Sequence, residues 1–308
     1  MPHNDALRTR ALIYRKLRAF FDERGVLEVE TPLLCAHTVT DPYIESIKAD
    51  GGYLQTSPEY AMKRLLCAGS GPIFQICKAF RKEEAGRHHN PEFTMLEWYR
   101  PGFDHHDLMN ELDELMQCVL STLPSTKQSY RDCFLEHTSI DPLTCELPQL
   151  HTFIEKNTLV HDVSLLDADT ALQIILSEYI EPKIGLQQPF FLYDFPASQA
   201  ALSQIRDDTP PVAERFELYY KGLELANGFH ELTDVDEQLQ RFKHNQDTRR
   251  ASGLTVPDID DAFINALKTG LPPTSGVAVG LDRIIMLACG VNSINDVLII
   301  TKAQTLHT

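Results

Sequence analysis

The stretch Phe74–Tyr99, FQICKAFRKEEAGRHHNPEFTMLEWY, constrains this chain more than any other. FQICKAF is an apolar run with partial alternation, the pattern of a mostly buried strand. RKEEAGRHHNP is charged and carries Gly86 and Pro91, so it loops. EFTMLEWY returns as a second strand, rich in aromatics and Thr. The expected unit is a hairpin with chemistry at its strand ends. Arg81 and Glu83 sit at the exit from the first strand, and Asn90 and Phe93 at the entry to the second. Along the return strand Phe93, Met95, Glu97 and Tyr99 fall on one face. A protein-core face does not normally carry a bare Glu between Met95 and Tyr99. That face is therefore expected to floor a pocket.

Size and charge narrow the setting. With 308 residues the chain buries a sizeable core. Its 28 Lys and Arg against 44 Asp and Glu leave a net charge of −16, which repels nucleic acid backbones and anionic membranes at long range. No run of 18 apolar residues is present, and the N-terminus MPHNDALRTR has no apolar signal core. The seven Cys are scattered and form no Cys-x-x-Cys pair, which predicts reduced thiols in a cytoplasmic protein. His88-His89 and His105-His106 lack a third ligand at matching spacing, so structural or phosphate-facing roles are expected rather than zinc.

Residues 5–24 read as an amphipathic helix with Leu7, Ala11, Tyr14, Leu17 or Arg18, and Phe21 on its stripe, stopped by Gly25. VLEVETPLL follows as an alternating strand running into Pro32. After a loop and strand over 35–56, Ser57 reads as an N-cap with Pro58 at N1, which places Glu59 in a first helical turn. There Glu59 serves either the helix dipole or a ligand. DLMNELDELMQCVLSTL and LLDADTALQIILSEYI read as helices, with a polar, turn-rich region between them. FELYYKGLELA reads as two strands joined by a turn at Lys221-Gly222, so that carboxylates from neighbouring strands converge and need cations between them. EQLQRFKHNQDTRRA reads as a basic amphipathic helix. SGVAVGLDRIIMLACG reads as a strand whose Gly276, Ala278 and Gly280 admit a ligand closely, followed by a helix starting at Asp282-Arg283.

Phe80-Arg81-Lys82-Glu83 followed by His89-Asn90-Pro91-Glu92-Phe93-Thr94 resembles motif 2 of the class II aminoacyl-tRNA synthetases, in their lysine-specific branch. Residues 5–32 resemble motif 1, and residues 275–290 resemble motif 3 with Arg283 as its arginine. AERFELYYKGLELANGFHELTD resembles the lysine-branch string around the metal and amino-acid sites. The resemblance implies an α+β fold, an antiparallel sheet flanked by helices. It also implies one catalytic domain over 1–308 with an insertion at about 104–182, and a motif-1 homodimer. By residue it implies that Arg81 and Arg283 are catalytic, and that Arg81, Glu83, His89, Asn90, Phe93, Glu224, Leu225, Gly280 and Arg283 hold ATP, with adenine between Phe93 and Arg283. Glu217 and Glu224 correspond to Mg²⁺ ligands. Ser57, Pro58, Glu59, Glu97, Tyr99, Asn227, Glu231 and Ala278 correspond to the amino-acid pocket.

Two departures sharpen the expectation. The lysine branch carries Gly where this chain has Ala278, so the main-chain end of the substrate is expected to differ. Only 31 residues precede Pro32, too few for an anticodon-binding domain of roughly 50 residues or more. A bare lysine-branch core resembles the stand-alone ligases that activate (R)-β-lysine and load it onto a lysine of elongation factor P. That resemblance implies elongation factor P as partner and no stable tRNA binding. Rival readings are a truncated synthetase that still charges tRNA, an ammonia-dependent asparagine synthetase, and an inactive regulatory paralogue.

Overall fold

The computed structural model describes residues 4–82, 85–160 and 162–298. The chain separates into two compact units. One comprises Met1–Phe103, Cys118–Leu120 and Leu232–Thr308, the other Asp104–Gln117 and Ser121–Glu231.

In the first unit the expected hairpin is present. Strand Ile73–Phe80 pairs antiparallel with Glu92–Pro101, which pairs antiparallel with Thr274–Gly280. One face of this sheet is core. Phe74 and Trp98 oppose each other there, and Phe21 of helix Asn4–Asp22 stacks on Phe74 at 4.3 Å and meets Trp98 at 5.3 Å. The helix buries Ala6, Ile13, Leu17, Phe20 and Phe21, while Leu7 and Ala11 face outward. The expected stripe was thus mixed: Leu17 and Phe21 lie on the inner face, Leu7 and Ala11 on the outer. Gly25, at φ 64°, ends the segment in the left-handed region.

The strand expected over VLEVETPLL shrinks to Leu27–Glu28, parallel to Ile73–Phe74. Val29 still donates to Phe74 O at 2.9 Å. Pro32, which has no N–H to give a ladder, follows shortly after. Strands Leu34–Cys35, Lys48–Ala49 and Gly52–Leu54 form a separate small sheet.

In the second unit strand Thr126–Ser129 runs parallel to Phe190–Pro196. Phe190–Pro196 pairs antiparallel with Val212–Tyr220, and Val212–Tyr220 with Leu223–His230. The region between the two expected helices is more ordered than its polarity implied. It holds that first strand and helices Tyr130–Thr138 and Leu147–Asn157. Helix Tyr130–Thr138 buries Tyr130, Cys133 and Phe134, an i, i+3, i+4 set among charged residues. These pack with Leu150, Ile154, Ile175 and Phe195 in one core.

The α+β class with mainly antiparallel sheets flanked by helices is what the structure has. No helix among the described residues is long and apolar enough to cross a membrane. All seven cysteines are free thiols. His105 is buried against Asp194 at 3.1 Å, and Asp194 also takes Arg206 at 2.6 Å. That is a structural role for His105, one of the two roles expected for the pair.

Candidate active site

In the first unit the site is built on the face opposite Phe74 and Trp98. Glu97 sits mid-strand, opposite Gln75 on one neighbour and Ala278 on the other. Tyr99 and Met95 flank it, opposite Gly276 and Gly280. Two hydroxyls hold the Glu97 carboxyl: Ser57 Oγ donates to Oε2 at 2.8 Å and Tyr99 Oη donates to Oε1 at 2.7 Å. Glu97 is 2% exposed. Burial, then the charge of Glu59, pushes its carboxyl up to about 7 against the pull of those two hydrogen bonds. A carboxyl poised there exchanges its proton near neutrality.

Glu59 lies in the first turn of helix Glu59–Cys67 and pairs at 2.6 Å with Lys63, one turn on and only 1% exposed. The expected capping is shifted by one residue. Pro58 occupies the N-cap position, and Ser57 Oγ accepts from Glu59 N at 3.1 Å while donating to Glu97. One hydroxyl therefore joins the helix start to the strand face. Lys63 and Gln75, the latter held by Thr31 Oγ1 at 3.0 Å, were missed in the sequence. The i+4 spacing from Glu59 was a usable sign for Lys63.

The arginines stand at the hairpin loop. The Arg81 guanidinium lies 5.2 Å from the Phe93 ring centre, and its Nε donates to Thr56 O at 3.4 Å. Arg283 Nη2 meets His89 Nε2 at 2.6 Å, and its Nε donates to His88 O at 3.4 Å. Asn90 Nδ2 donates to Glu92 O at 2.5 Å. Glu83 lies outside the described residues. Gly280 is the N-cap of helix Leu281–Cys289. Asp282 is buried and accepts from Thr94 N at 2.6 Å and from Arg10 Nη2 at 2.5 Å. It locks the strand to two helices, while the next residue, Arg283, reaches the loop.

In the second unit a tight turn at Lys221 (φ 50°) and Gly222 (φ 74°) joins the two strands, as expected. Glu217 pairs with Asn227 across the ladder, Leu218 with Ala226 and Tyr219 with Glu224. Asn227 and Glu224 are three apart, so a regular strand would point them to opposite faces. The bulge at Leu218/Tyr219 absorbs one residue and returns Glu224 to the face of Glu217. Tyr219 Oη donates to Glu217 Oε2, and the Arg215 guanidinium holds Glu217 Oε1. Burial, then Glu217, Glu181 and Glu224, pushes the Tyr219 phenol well above its ordinary range, so it remains a donor. Gly228 is required beside Asn227, because a Cβ there would sit 2.3 Å from the Phe216 ring. Leu225 turns its side chain into the core. Glu231 is buried, its backbone bridged to Ser203 and its carbonyl taking Gln204 Nε2 at 3.0 Å. Arg215 and Tyr219 were also missed in the sequence. Their period-2 spacing with Glu217 was the available sign.

Among the described residues no group of three or more His, Cys, Asp or Glu side chains is arranged to hold a metal. Mg²⁺ asks for less, since one or two carboxylates suffice when phosphate oxygens and water complete its shell. Glu217 and Glu224 are hard oxygen donors on one face, and each Glu217 oxygen keeps a lone pair beyond its present bond. That donor set fits Mg²⁺.

A family model described as tRNA synthetases class II (D, K and N) matches residues 2–304. The chain belongs to this family. Proteins named Elongation factor P–(R)-beta-lysine ligase in Salmonella gallinarum (strain 287/91 / NCTC 13346) and in Salmonella typhi are each 52% identical to it over 303 residues, 95% of this chain and 93% of the relative. The protein of that name in Salmonella dublin matches to the same extent.

Proposed function

We propose that this class II protein activates (R)-β-lysine with ATP and transfers it to a lysine side chain of elongation factor P. The observation that carries this is Glu97. It is a buried carboxyl held by two hydroxyls, beside Glu59 and opposite Ala278, and such a site recognises an ammonium-bearing substrate. The match of 52% over nearly the whole chain to the ligases above supports the choice of isomer and acceptor.

In the first step a substrate carboxylate oxygen bonds to the α-phosphorus of ATP, and the bond from that phosphorus to the bridging oxygen of pyrophosphate breaks. The attacking oxygen is already an anion, so no protein base is needed. The protein's task is alignment and neutralisation of charge. In this reading Arg81 faces the α-phosphate and the substrate carboxylate, adenine stacks between Phe93 and Arg283, and His89, Asn90, Gly280 and the backbone at Leu225 help place the nucleotide. Asn227 takes the substrate carboxylate. Glu59, Glu97, Tyr99 and Glu231 take its ammonium groups. Glu217 and Glu224 would hold Mg²⁺, which neutralises phosphate charge when bound. In the second step the neutral amine of the acceptor lysine bonds to the acyl carbon, the acyl–phosphate bond breaks, and AMP leaves. The amine proton passes to a phosphate oxygen.

The reading includes one catalytic domain with an insertion at about 104–182, a homodimer and a cytoplasmic setting. The net charge of −16 disfavours stable tRNA binding. The test is intact-mass analysis of elongation factor P after incubation with the protein, ATP, Mg²⁺ and either lysine isomer. An added lysyl mass is expected, faster with (R)-β-lysine and lost when the acceptor lysine becomes Ala. Robust charging of tRNA with an unmodified factor would replace this reading with a truncated synthetase.

A further inference from the structure

Arg215 spends each of its guanidinium nitrogens on a different partner. Nε donates to Asn227 Oδ1 at 3.2 Å, Nη1 to Gln199 O at 3.1 Å, and Nη2 to Glu217 Oε1. The plane of the group rests 4.5 Å from the Phe195 ring centre, and Phe195 is buried. The fork is fixed on one strand, braced by an aromatic floor, and reaches the two neighbouring segments.

A guanidinium has donors and no acceptor. Whatever atom of Asn227 meets Nε must therefore be its carbonyl oxygen, and the amide is left with Nδ2–H₂ on its other side. That group has no hydrogen-bond acceptor among the described residues, and Asn227 is half-buried on the face that carries Glu217. An amide locked this way presents only donors, which suits a carboxylate ligand. Unclamped, it would turn over and present its oxygen half of the time, repelling that ligand.

We propose that Arg215 is a positioning residue for the substrate carboxylate: it fixes the amide of Asn227 with its donor end outward and holds Glu217 beside it. The proposal rests on the reading above, in which Asn227 takes the amino-acid carboxylate. Arg215 acts through Asn227 and need not touch the substrate.

The test compares two ligands of the full-length protein by calorimetry, without ATP or Mg²⁺. One is (R)-β-lysine, and the other is 1,4-diaminopentane, the same skeleton without the carboxylate. The variants are Arg215→Met, Arg215→Lys, Asn227→Ala and Arg215→Met combined with Asn227→Ala. Arg215→Met is expected to weaken (R)-β-lysine about tenfold or more, the scale of a hydrogen bond to a charged group, and to leave the diamine unchanged. Arg215→Lys keeps the charge without the fork and is expected to behave like Arg215→Met. The combined variant is expected to be no weaker than Asn227→Ala alone. Equal weakening of both ligands by Arg215→Met would mean a merely structural role and overturn the proposal. So would a full additional loss in the combined variant. Unchanged (R)-β-lysine affinity in Asn227→Ala would instead remove the carboxylate role of Asn227 and the proposal with it.

Discussion

Ala278 and Glu97 are register partners on adjacent strands, so a methyl and a carboxyl stand side by side on one face of the sheet. Cross-strand partners lie about 4.5–5.5 Å apart at Cβ, so each bounds the space left to the other's ligand. Ala278→Gly is expected to shift the α-lysine to (R)-β-lysine ratio of kcat/KM about tenfold toward α-lysine, the usual scale for one methyl group. ATP–pyrophosphate exchange with each isomer measures it. An unchanged ratio would take the isomer preference away from Ala278.

Glu97 also sets a pH dependence. Its carboxyl is raised to about 7 by burial and the nearby Glu59 charge. An ammonium ligand binds the ionised form, so ligand binding should release a proton below that value. Affinity for (R)-β-lysine is expected to fall as pH drops below 7 and to level off above it. Calorimetry in buffers of different ionisation enthalpy counts the proton, and Glu97→Gln should abolish the count. For the unliganded protein the sign is opposite. The folded value lies above the ordinary 4.5, so this group's contribution to stability is full at low pH and is lost as pH rises through about 7. No pH-dependent difference in denaturant midpoint between the parent and Glu97→Gln over this window would contradict the assignment.

Phe21 tests the core beneath the site. It is fully buried, stacks on Phe74 and meets the edge of Trp98. Phe21→Ala is expected to cost about 3–5 kcal/mol of unfolding free energy. Urea denaturation at constant m-value measures this, and a loss under 1 kcal/mol would mean that the helix contributes little to the hairpin.

The hairpin was legible because both of its signals are local. Alternation put Phe93, Met95, Glu97 and Tyr99 on one face, and Gly86 and Pro91 marked the loop. The Lys221-Gly222 turn was legible for the same reason. What stayed hidden depends on partners distant in the chain. The alternation in VLEVETPLL promised a long strand, yet ladder partners exist only for its start. Helix Tyr130–Thr138 looked polar because only three of its positions face the core. Arg215 drew no reading in the sequence, because its meaning depends on Asn227 twelve residues away. Asp282 looked like a helix start beside Arg283, but it is a buried lock on Thr94 and Arg10.

Motif 1 makes a fourth prediction. Leu27, Leu33 and Leu34 are 58%, 41% and 52% exposed in the protomer, an apolar set just after helix Asn4–Asp22. In the proposed homodimer this exposed apolar segment would supply the symmetric contact. Sedimentation at micromolar concentration is expected to give twice the chain mass. Leu27→Glu with Leu34→Glu should halve it without lowering the melting temperature of the protomer. A monomeric parent would remove the dimer from the reading.

The bulge at Leu218/Tyr219 makes the second-unit hairpin sensitive to parity. Its extra residue, Leu225, lies between Asn227 and Glu224 on their own strand and has no register partner. Deleting Leu225 would remove the bulge and leave Asn227 and Glu224 two apart on one face, as in a regular ladder. With the bulge kept, length changes in this segment should come in even steps, and a single-residue change should survive only where it removes the bulge itself.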